Sequence, residues 1–541
     1  MLFSMSLSGT FSLLALPAFA QTADSVMQRA ALPLDVPVVP RFAISQFKVE
    51  GNTVLPAETV AAAVAPFTGP ARDFGDVQQA MEALEAIYKA RGYSSVSVLL
   101  PEQALESGSV LLRIVEGRIR RIEVEGNQHF DKDNILASLP SLKIGGVPIV
   151  DEVSSSLRVA NENPAKKITL QLSPGEEEAD IDAKLKVTDE APWKIGLTLD
   201  NTGSGQTGNN RLGVSYQHSN MFNRDQILTL QYQTSPQNIK DVTVYAVAYR
   251  LPIYGWGDVL DVFATKSSVN AGTIAAGPFN LAITGRGESY GAKYTIKLKR
   301  IGDYDHEIVA GLDSKLFENS ITAGTLDLGS NLEVHPVSVQ YNGHLVKDGR
   351  DISANVSLIH NIPGGSDGGQ AAFDKARTGS VKDYTVLRAG AILSQSLTAW
   401  LDADWQARVA LSAQYVAKPV IPGEQFGAGG ASSVRGFEER EVASDKGLQG
   451  NLELYTPELC AKLWASQQCR AVVFYDWAKL NRVDPLPTEE ASQFVSSTGV
   501  GVRWTISKDV AVQTDYATLL RGTSLRPSGG WKVHARVGVF F

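Results

Sequence analysis

The chain has 541 residues, which is too many for one ordinary domain. It carries 58 acidic and 50 basic residues, and the resulting net charge of -8 gives nucleic-acid binding no electrostatic support. After residue 20, no apolar run approaches the ~20 residues that a membrane-spanning helix requires.

Residues 1–20 predict a signal peptide. The apolar core Phe11–Leu16 precedes the A-x-A-like sequence Ala18-Phe19-Ala20, so Gln21 is the expected mature N-terminus. The pattern lacks Lys or Arg upstream of the core, and a buried N-terminal strand or helix is the alternative. In residues 21–41, three prolines predict a linker, and Asp24–Ala31 is a candidate short helix before them.

An internal repeat follows the linker. The sequence Phe47-Lys-Val-Glu-Gly-Asn52 recurs as Ile122-Glu-Val-Glu-Gly-Asn127, and each copy predicts a strand that ends in a Gly-Asn turn. Helical spacing follows each copy, and two strand-like runs close each unit. The sequence therefore predicts two small α+β domains at 42–117 and 118–190, each with the order strand–helix–helix–strand–strand. The alternative is a pair of unrelated ferredoxin-like modules.

From Pro192 onward, alternation with a period of two replaces helical spacing. In the predicted strand 399–416, odd-numbered positions between Leu401 and Tyr415 are apolar, and even-numbered positions are mostly charged or polar. A long strand with one apolar and one charged face is typical of a strand with lipid outside and water inside. About sixteen such segments predict an all-β transmembrane barrel of about 16 antiparallel strands at 191–541.

The connections between these segments alternate in length. Those after even-numbered strands are mostly short, as at Ile301-Gly302, Leu397-Thr398 and Ser507-Lys508, whereas those after odd-numbered strands are mostly long, as at Pro363–Val381. This alternation is typical of outer-membrane barrels, and a β-sandwich, the alternative, would not produce it. The last strand ends in Phe541, which falls on the predicted lipid face and is expected to serve membrane assembly.

Cys460 and Cys469 are the only two cysteines, and they flank the connection between predicted strands 12 and 13. In an exported protein this spacing permits a local disulfide. Two free thiols are the alternative.

One connection, 418–447, is glycine-rich and lacks periodicity. Structureless loops of more than ~15 residues are uncommon and usually functional, and a barrel of this strand number has a lumen wide enough to admit one. We therefore expect this loop to fold inward, and an outward-facing loop with an exposed Arg435 is the alternative. Asp476 on predicted strand 13 alternates with apolar residues that suit lipid, so it is expected to face the interior. There Arg435 of the loop can bind it through two parallel hydrogen bonds.

Several motifs resemble those of one protein superfamily. Two Val-Glu-Gly-Asn repeats before a barrel resemble POTRA domains. The loop sequence Val434-Arg435-Gly436-Phe437 resembles the loop motif of the Omp85 superfamily, and Phe474-Tyr475-Asp476 resembles its partner on the barrel wall. Two repeats and about sixteen strands are most similar to the two-partner secretion transporters, the haemolysin and filamentous-haemagglutinin secretion/activation proteins. Relatives often carry a longer N-terminal helix that plugs the pore, for which Asp24–Ala31 is a short candidate.

The resemblance implies a location in the outer membrane of a Gram-negative bacterium, with the repeats in the periplasm. It implies secretion of a large exoprotein, such as an adhesin, a haemolysin or a contact-dependent toxin. Outer-membrane lipid, periplasmic chaperones and the barrel assembly machinery are the other expected partners. It also implies that an edge strand with Val96, Val98 and Leu100 captures the client by strand pairing, with a purely structural strand as the alternative.

Two other functions remain open for a barrel of this kind. Assembly factors for outer-membrane proteins usually carry more than two repeats, and a passive porin leaves the repeats without a role. Enzymatic motifs are weak: Gly287-Glu-Ser289-Tyr-Gly291 matches G-x-S-x-G but is followed by a predicted strand rather than a helix. The seven histidines lack metal-binding spacing, and no phosphate-binding loop is present. We expect no catalytic residue, no metal, no cofactor and no enzymatic activity.

Overall fold

The computed structural model describes residues 40–541 apart from 105–106, 206, 270–271, 277–278, 284–285, 320–321, 324–325, 328–329, 402, 461–466 and 488. The predicted signal peptide and the candidate helix Asp24–Ala31 lie outside the described residues. Within the described ranges, no helix is both long enough and apolar enough to cross a membrane.

The helices and strands alternate in the N-terminal third, and strands dominate the rest. The helices are α1 (Ala57–Val64), α2 (Phe74–Ala90), α3 (Lys132–Ala137), α4 (Val150–Ala160) and α5 (Gln370–Ala376). The first strands are β1 (Phe42–Ile44), β2 (Gln46–Glu50), β3 (Gly69–Arg72), β4 (Val96–Leu99), β5 (Ser109–Glu116), β6 (Arg118–Glu125), β7 (Lys166–Pro174) and β8 (Asp180–Asp189). The later strands are β9 (Trp193–Asp200), β10 (Arg211–Met221), β11 (Gln226–Thr234), β12 (Thr243–Ile253), β13 (Asp258–Ser267), β14 (Gly272–Ala276), β15 (Phe279–Ile283), β16 (Gly287–Lys297), β17 (Tyr304–Asn319), β18 (Thr322–Ala323), β19 (Leu326–Asp327), β20 (Ser330–Val334), β21 (Pro336–Lys347), β22 (Arg350–Asn361), β23 (Thr385–Ser396), β24 (Gln406–Val416), β25 (Phe426–Ala428), β26 (Val442–Ser444), β27 (Lys446–Tyr455), β28 (Gln468–Asn481), β29 (Ser492–Ser507), β30 (Val510–Arg521) and β31 (Trp531–Phe540).

The two repeats fold alike. In the first repeat (42–117), β5 lies between β2, to which it is parallel, and β4, to which it is antiparallel. In the second repeat (118–190), β8 has the same relation to β6 and β7. Apolar residues of the helices and of the sheet form one core in each repeat. The first repeat has an additional antiparallel pair, β1 with β3, which the sequence pattern does not predict.

The recurring Gly-Asn turn has the same construction in both repeats. Gly51 and Gly126 have φ angles of +87° and +85°, and a Cβ there would lie 2.1 and 2.4 Å from a carbonyl oxygen of the neighbouring strand. Only glycine fits this backbone conformation at so close an approach. Asn52 and Asn127 each donate a side-chain hydrogen bond of 2.8 Å to the carbonyl three residues later.

Each Gly-Asn turn is also bound by a carboxylate at the end of the repeat's last strand. Glu116 accepts hydrogen bonds of 2.7 and 3.1 Å from the backbone N–H groups of 53–54, and Asp189 accepts bonds of 2.8 to 3.0 Å from those of 128–130. Burial opposes ionisation, but these bonds outweigh it and hold the pKa of each carboxyl below its ordinary value. The shared turn and carboxylate indicate two copies of one module rather than unrelated domains.

The strands β9–β13, β16, β17, β20–β24 and β27–β31 close into one antiparallel barrel of sixteen strands, and the remaining strands of this region form three separate pairs, β14 with β15, β18 with β19, and β25 with β26. β20 and β21 count as one strand because both pair with β17, on either side of His335. Outward positions are apolar, and inward positions include buried charges, as on β28, where Val473 is 51% exposed and Asp476 is 0% exposed. Apolar residues outside and polar residues inside confirm the predicted fold class of a transmembrane barrel.

The second repeat defines the two ends of the barrel. It contacts the turns 222–225, 254–257 and 298–303, which follow the second, fourth and sixth barrel strands. Because neighbouring strands run in opposite directions, every connection after an even-numbered strand lies at this repeat end. The connections after odd-numbered strands lie at the opposite, long-loop end.

One predicted strand is too long. The alternation from Leu401 to Tyr415 predicts a strand from 399 onward, but β24 begins at Gln406. Its neighbours β23 and β27 pair with Gln406 through their own terminal residues, and one further backbone hydrogen bond, of 2.8 Å from the Leu397 N–H to the Trp405 carbonyl, follows beyond this pair. The described residues 397–401 and 403–405 instead belong to a longer connection, and the predicted two-residue turn Leu397-Thr398 is wrong.

The seam between the last and first strands closes the barrel. β31 pairs with β9 over Arg536–Phe540. Phe541 exchanges backbone hydrogen bonds of 2.9 and 3.2 Å with Ile195, and its side chain is 64% exposed. The terminal aromatic therefore lies on the outer surface beside the seam, where lipid-facing residues are expected.

Candidate functional site: a loop bound inside the barrel

Residues 417–445 connect β24 to β27 and form what we call the lumenal loop. The loop contains a short hairpin of β25 with β26, which sequence periodicity does not predict. Val434 and Phe437 are both 0% exposed and belong to an apolar cluster with inward-facing wall residues, including Ala478 and Leu519. The loop therefore lies inside the barrel.

Arg435 of the lumenal loop binds Asp476 on the barrel wall. Its Nε and Nη2 atoms each donate a hydrogen bond of 2.7 Å to one carboxylate oxygen, and its backbone N–H donates a third of 3.1 Å. The guanidinium carbon lies 3.4 Å from the centre of the Phe474 ring. The contact expected from the sequence is present, with a two-bond geometry that lysine cannot reproduce.

Two carboxylates outside the motifs complete the surroundings of Arg435. Its Nη1 atom lies 2.9 Å from Glu453 Oε1 and 3.5 Å from Asp515 Oδ1. Arg408 pairs with Glu453, and Arg503 pairs with Asp515, each at 2.8 Å. The charges at this site therefore balance, because three arginines face three carboxylates: Arg408, Arg435 and Arg503 face Glu453, Asp476 and Asp515. Glu453 and Asp515 could have been found from the sequence, because each is an acidic residue at an inward-facing position of a strand near the motif.

Gly436 lets the loop backbone approach the wall. Its φ angle is +98°, and a Cβ there would lie 2.6 Å from Leu519 Cδ2. Its N–H donates a hydrogen bond of 2.9 Å to His534 Nε2. Asn451 adds a further link because its Nδ2 atom donates to the Ser433 carbonyl at 2.6 Å and to the wall aspartate at 2.8 Å. A side chain at 436 would be strained at this φ angle and would have to displace Leu519 or the loop itself.

Buried charges also hold the base of the lumenal loop. Asp445, which is 0% exposed, pairs with Arg377 of the preceding long connection. Glu424, whose side chain is 1% exposed, pairs with Lys315 at 2.7 Å and with Arg388 at 3.1 Å. The loop is thus fixed at its base and at its motif.

The candidate client-binding strand β4 lies at an edge of the first repeat's sheet. Val98 is 3% exposed and packs in the core, with Val96 and Leu100 partly buried against it. The N–H of Val98 donates a hydrogen bond of 3.1 Å to Glu85 Oε1 of α2. A peptide that pairs with this N–H must therefore displace the carboxylate of Glu85.

A buried ion pair joins the second repeat to the barrel. Lys166 Nζ lies 2.5 Å from Asp225 Oδ2, and the two side chains are 0% and 1% exposed. Lys166 also donates to Asn134 at 2.9 Å, and the Tyr254 hydroxyl donates to Asp225 at 2.6 Å. Burial lowers the pKa of Lys166, and the attraction of Asp225 does not compensate for it, so desolvation outweighs the pairing.

A disulfide joins Cys460 and Cys469, whose Cα atoms are 5.3 Å apart, at the repeat end of the barrel. Glu458 Oε1 accepts hydrogen bonds of 2.8 and 2.7 Å from the two cysteine N–H groups. In the part of the chain that the structure describes, these three side chains form the one cluster close enough to hold a metal ion. Disulfide sulfurs offer no thiolate ligand, so we assign no metal to it.

Alkylation of the denatured, unreduced protein is expected to leave both cysteines unmodified, and prior reduction should expose two thiols. Closing a loop of ~10 residues stabilises by roughly 2–3 kcal/mol in the entropic model. Replacing both cysteines by serine should therefore lower the urea midpoint of unfolding. Two alkylated cysteines in the unreduced protein, measured by mass spectrometry, would contradict the disulfide.

The G-x-S-x-G sequence does not form a nucleophile turn. Ser289 lies within β16 and is paired on both sides, with β13 and with β17. A serine nucleophile of this motif requires a sharp turn between a strand and a helix. The structure thus offers no support for a catalytic Ser289.

Comparison with known proteins covers both parts of the chain. The family model of the haemolysin secretion/activation protein ShlB/FhaC/HecB matches residues 180–504, more than half of the chain, and the model of the ShlB-type POTRA domain matches residues 42–117. The outer membrane transporter CdiB of Dickeya dadantii is 23% identical over 426 residues, which cover 77% of this chain and 72% of that protein. The heme/hemopexin transporter protein HuxB of Haemophilus influenzae is 18% identical over 450 residues, which cover 81% and 76%. The solved structure of CdiB from Escherichia coli matches with a TM-score of 0.72 and 21% identity, over 95% of this chain and 93% of that one.

Proposed function

Because this chain belongs to the haemolysin secretion/activation family ShlB/FhaC/HecB, an outer-membrane transporter family, we propose that it captures one large exoprotein in the periplasm and secretes it through its barrel. The repeat end faces the periplasm, and the long loops face the cell exterior. The observation that carries the proposal is the lumenal loop, bound to the inner wall by Arg435 and Asp476 beside a polar lumen.

Membership of this family and the expected secretion pathway support the following assignments of client and partners. The client is a secreted adhesin, haemolysin or contact-dependent toxin, and it crosses the barrel in extended form. Periplasmic chaperones and the barrel assembly machinery deliver and insert the transporter itself. We expect no enzymatic activity, so the free energy of transport comes from a source other than nucleotide hydrolysis.

A comparison of culture media from wild-type and deletion strains tests the proposal. We expect one large exoprotein to disappear from the medium of the deletion strain and to return when the wild-type gene is supplied. The outer-membrane protein profile should stay unchanged. Loss of many barrel proteins would indicate an assembly factor, and an unchanged medium with altered solute uptake would indicate a porin.

If β4 captures the client by strand pairing, two variants should change client affinity in opposite directions. Glu85→Ala frees the N–H of Val98 for strand pairing and should strengthen client binding, whereas Val98→Pro removes that donor and should weaken it. One hydrogen bond contributes ~0.5–1.5 kcal/mol, so each affinity should change about two- to tenfold. Binding to the full-length protein is measured with an amino-terminal fragment of the exoprotein found above.

Glu82→Ala is the matched control for Glu85→Ala, because it removes an exposed carboxylate from the same helix. Circular dichroism establishes that each variant remains folded. If Glu85→Ala binds like Glu82→Ala, and a folded Val98→Pro binds like wild type, β4 has only a structural role.

A further inference from the structure

Three neighbouring cations at the long-loop end of the barrel's outer surface have no carboxylate partner within the described part of the chain. Lys446, Lys479 and Arg521 lie at the long-loop ends of β27, β28 and β30. Alternation along the strands places Lys446 on the same face as Leu448, and Lys479 on the same face as Val473, both of which are outward and exposed. A register shift after Leu519 places Arg521 opposite Ser496, which is on the same face of β29 as the exposed Val500. These charges thus border the apolar belt of the barrel.

The strand register makes the three cations neighbours. Lys446 is paired with Asn481, so Lys479, two residues earlier on β28, is its diagonal neighbour at about 7–8 Å. Lys479 is directly opposite Phe494 on β29. The Arg521 guanidinium lies 5.7 Å from the centre of the Phe494 ring. One ligand of the size of a disaccharide can therefore reach all three.

Aromatic side chains surround these cations. Lys446 Nζ lies 4.7 Å from the centre of the Tyr415 ring, which belongs to a side chain 57% exposed on the outer surface. The rings of Trp477 and Phe494 stack with their centres 6.5 Å apart. Aromatic belts mark the boundary between hydrocarbon and headgroups in membrane barrels. At the long-loop end, this boundary belongs to the outer leaflet.

We propose that Lys446, Lys479 and Arg521 form a binding site for the phosphate groups of a phosphorylated glycolipid in the outer leaflet. Charges next to hydrocarbon are costly when unpaired, and a lipid phosphate is the anion available at that depth. The aromatic rings and the apolar belt below them contact the acyl chains of the same molecule. This inference rests on the outer-membrane location of the barrel and not on secretion of a client.

The test measures binding of bisphosphorylated lipid A to the full-length protein in nanodiscs by native mass spectrometry. The site variant combines Lys446→Gln, Lys479→Gln and Arg521→Gln, and we expect it to bind at least tenfold more weakly than wild type. All three positions face away from the lumen. Heat-modifiable migration of the barrel in electrophoresis checks that the variants are folded.

The control variant makes the same change in charge at the repeat end, with Lys347→Gln, Arg350→Gln and Lys508→Gln, all exposed. It should bind lipid A like wild type. Dephosphorylated lipid A should bind weakly to every variant, and inorganic phosphate should not compete at equal concentration. Equal binding by the site and control variants, undiminished binding of the dephosphorylated lipid, or equal affinity for inorganic phosphate would each overturn the proposal.

Discussion

Arg435→Ala is expected to abolish secretion of the client while the barrel remains inserted and heat-modifiable. The substitution leaves Asp476, Glu453 and Asp515 with two arginines instead of three in a buried site. Removing one partner of a buried ion pair costs ~3–5 kcal/mol, which shifts the equilibrium between bound and released loop by about a hundredfold or more. Immunoblots of culture medium and of outer membranes measure both outcomes.

A double-mutant cycle tests whether Arg435 and Asp476 act as a pair or independently. Asp476→Ala should give the same defect as Arg435→Ala, and the double variant should be little worse than either single one. Arg350→Ala is the control, because Arg350 is exposed at the repeat end and donates a hydrogen bond of 2.7 Å to Gln395 rather than to a carboxylate, and this variant should secrete nearly normally. Fully additive defects, or normal secretion by Arg435→Ala, would show that the pair does not hold the loop.

Lys166→Ala is expected to release the second repeat from the barrel. It leaves Asp225 buried without its cation, at a cost of ~3–5 kcal/mol. Amide hydrogen exchange, followed by mass spectrometry, should become faster in α3, in β7 and in the turn 222–225. Combining Lys166→Met with Asp225→Asn should restore much of the protection, because it leaves no unpaired buried charge and asparagine tolerates the φ angle of +58° at position 225.

Lys299→Ala provides the matched control for this joint. Lys299 pairs with Asp151 at 2.6 Å across the same boundary, but the two side chains are 76% and 55% exposed. Exposed ion pairs contribute at most ~1 kcal/mol, so exchange should change little. If Lys299→Ala and Lys166→Ala have equal effects, the buried pair does not determine how the repeat is held.

The barrel was predictable because lipid and lumen impose opposite polarity on alternate residues. The strand 350–361 has the predicted bounds, and β28 has the predicted inward Asp476. The Arg435 contact follows from this alternation together with the loop motif. Arg408 and Glu453, by contrast, are 45 positions apart and become neighbours only through the register of β24 and β27.

The contact between the second repeat and the barrel is even harder to predict from the local sequence. Lys166 and Asp225 lie 59 positions apart, and each stands in a polar segment that would ordinarily be solvated. Their burial results from docking of the whole repeat, which no pattern within either segment encodes. The false extension of β24 has a related cause, because strand length depends on where the neighbouring strands end.

The motif of the lumenal loop is attached to one side of the barrel. Its partners lie on β27, β28, β30 and β31, whereas Ser353, Asn355 and Gly390 of β22 and β23 line the far side of a cavity of about 500 Å³ beside it. This cavity has uncharged groups on that side and mutually neutralised charges on the side of the motif. Because the charges at this site are already paired, we expect the choice of cargo to be made before entry, at the periplasmic repeats.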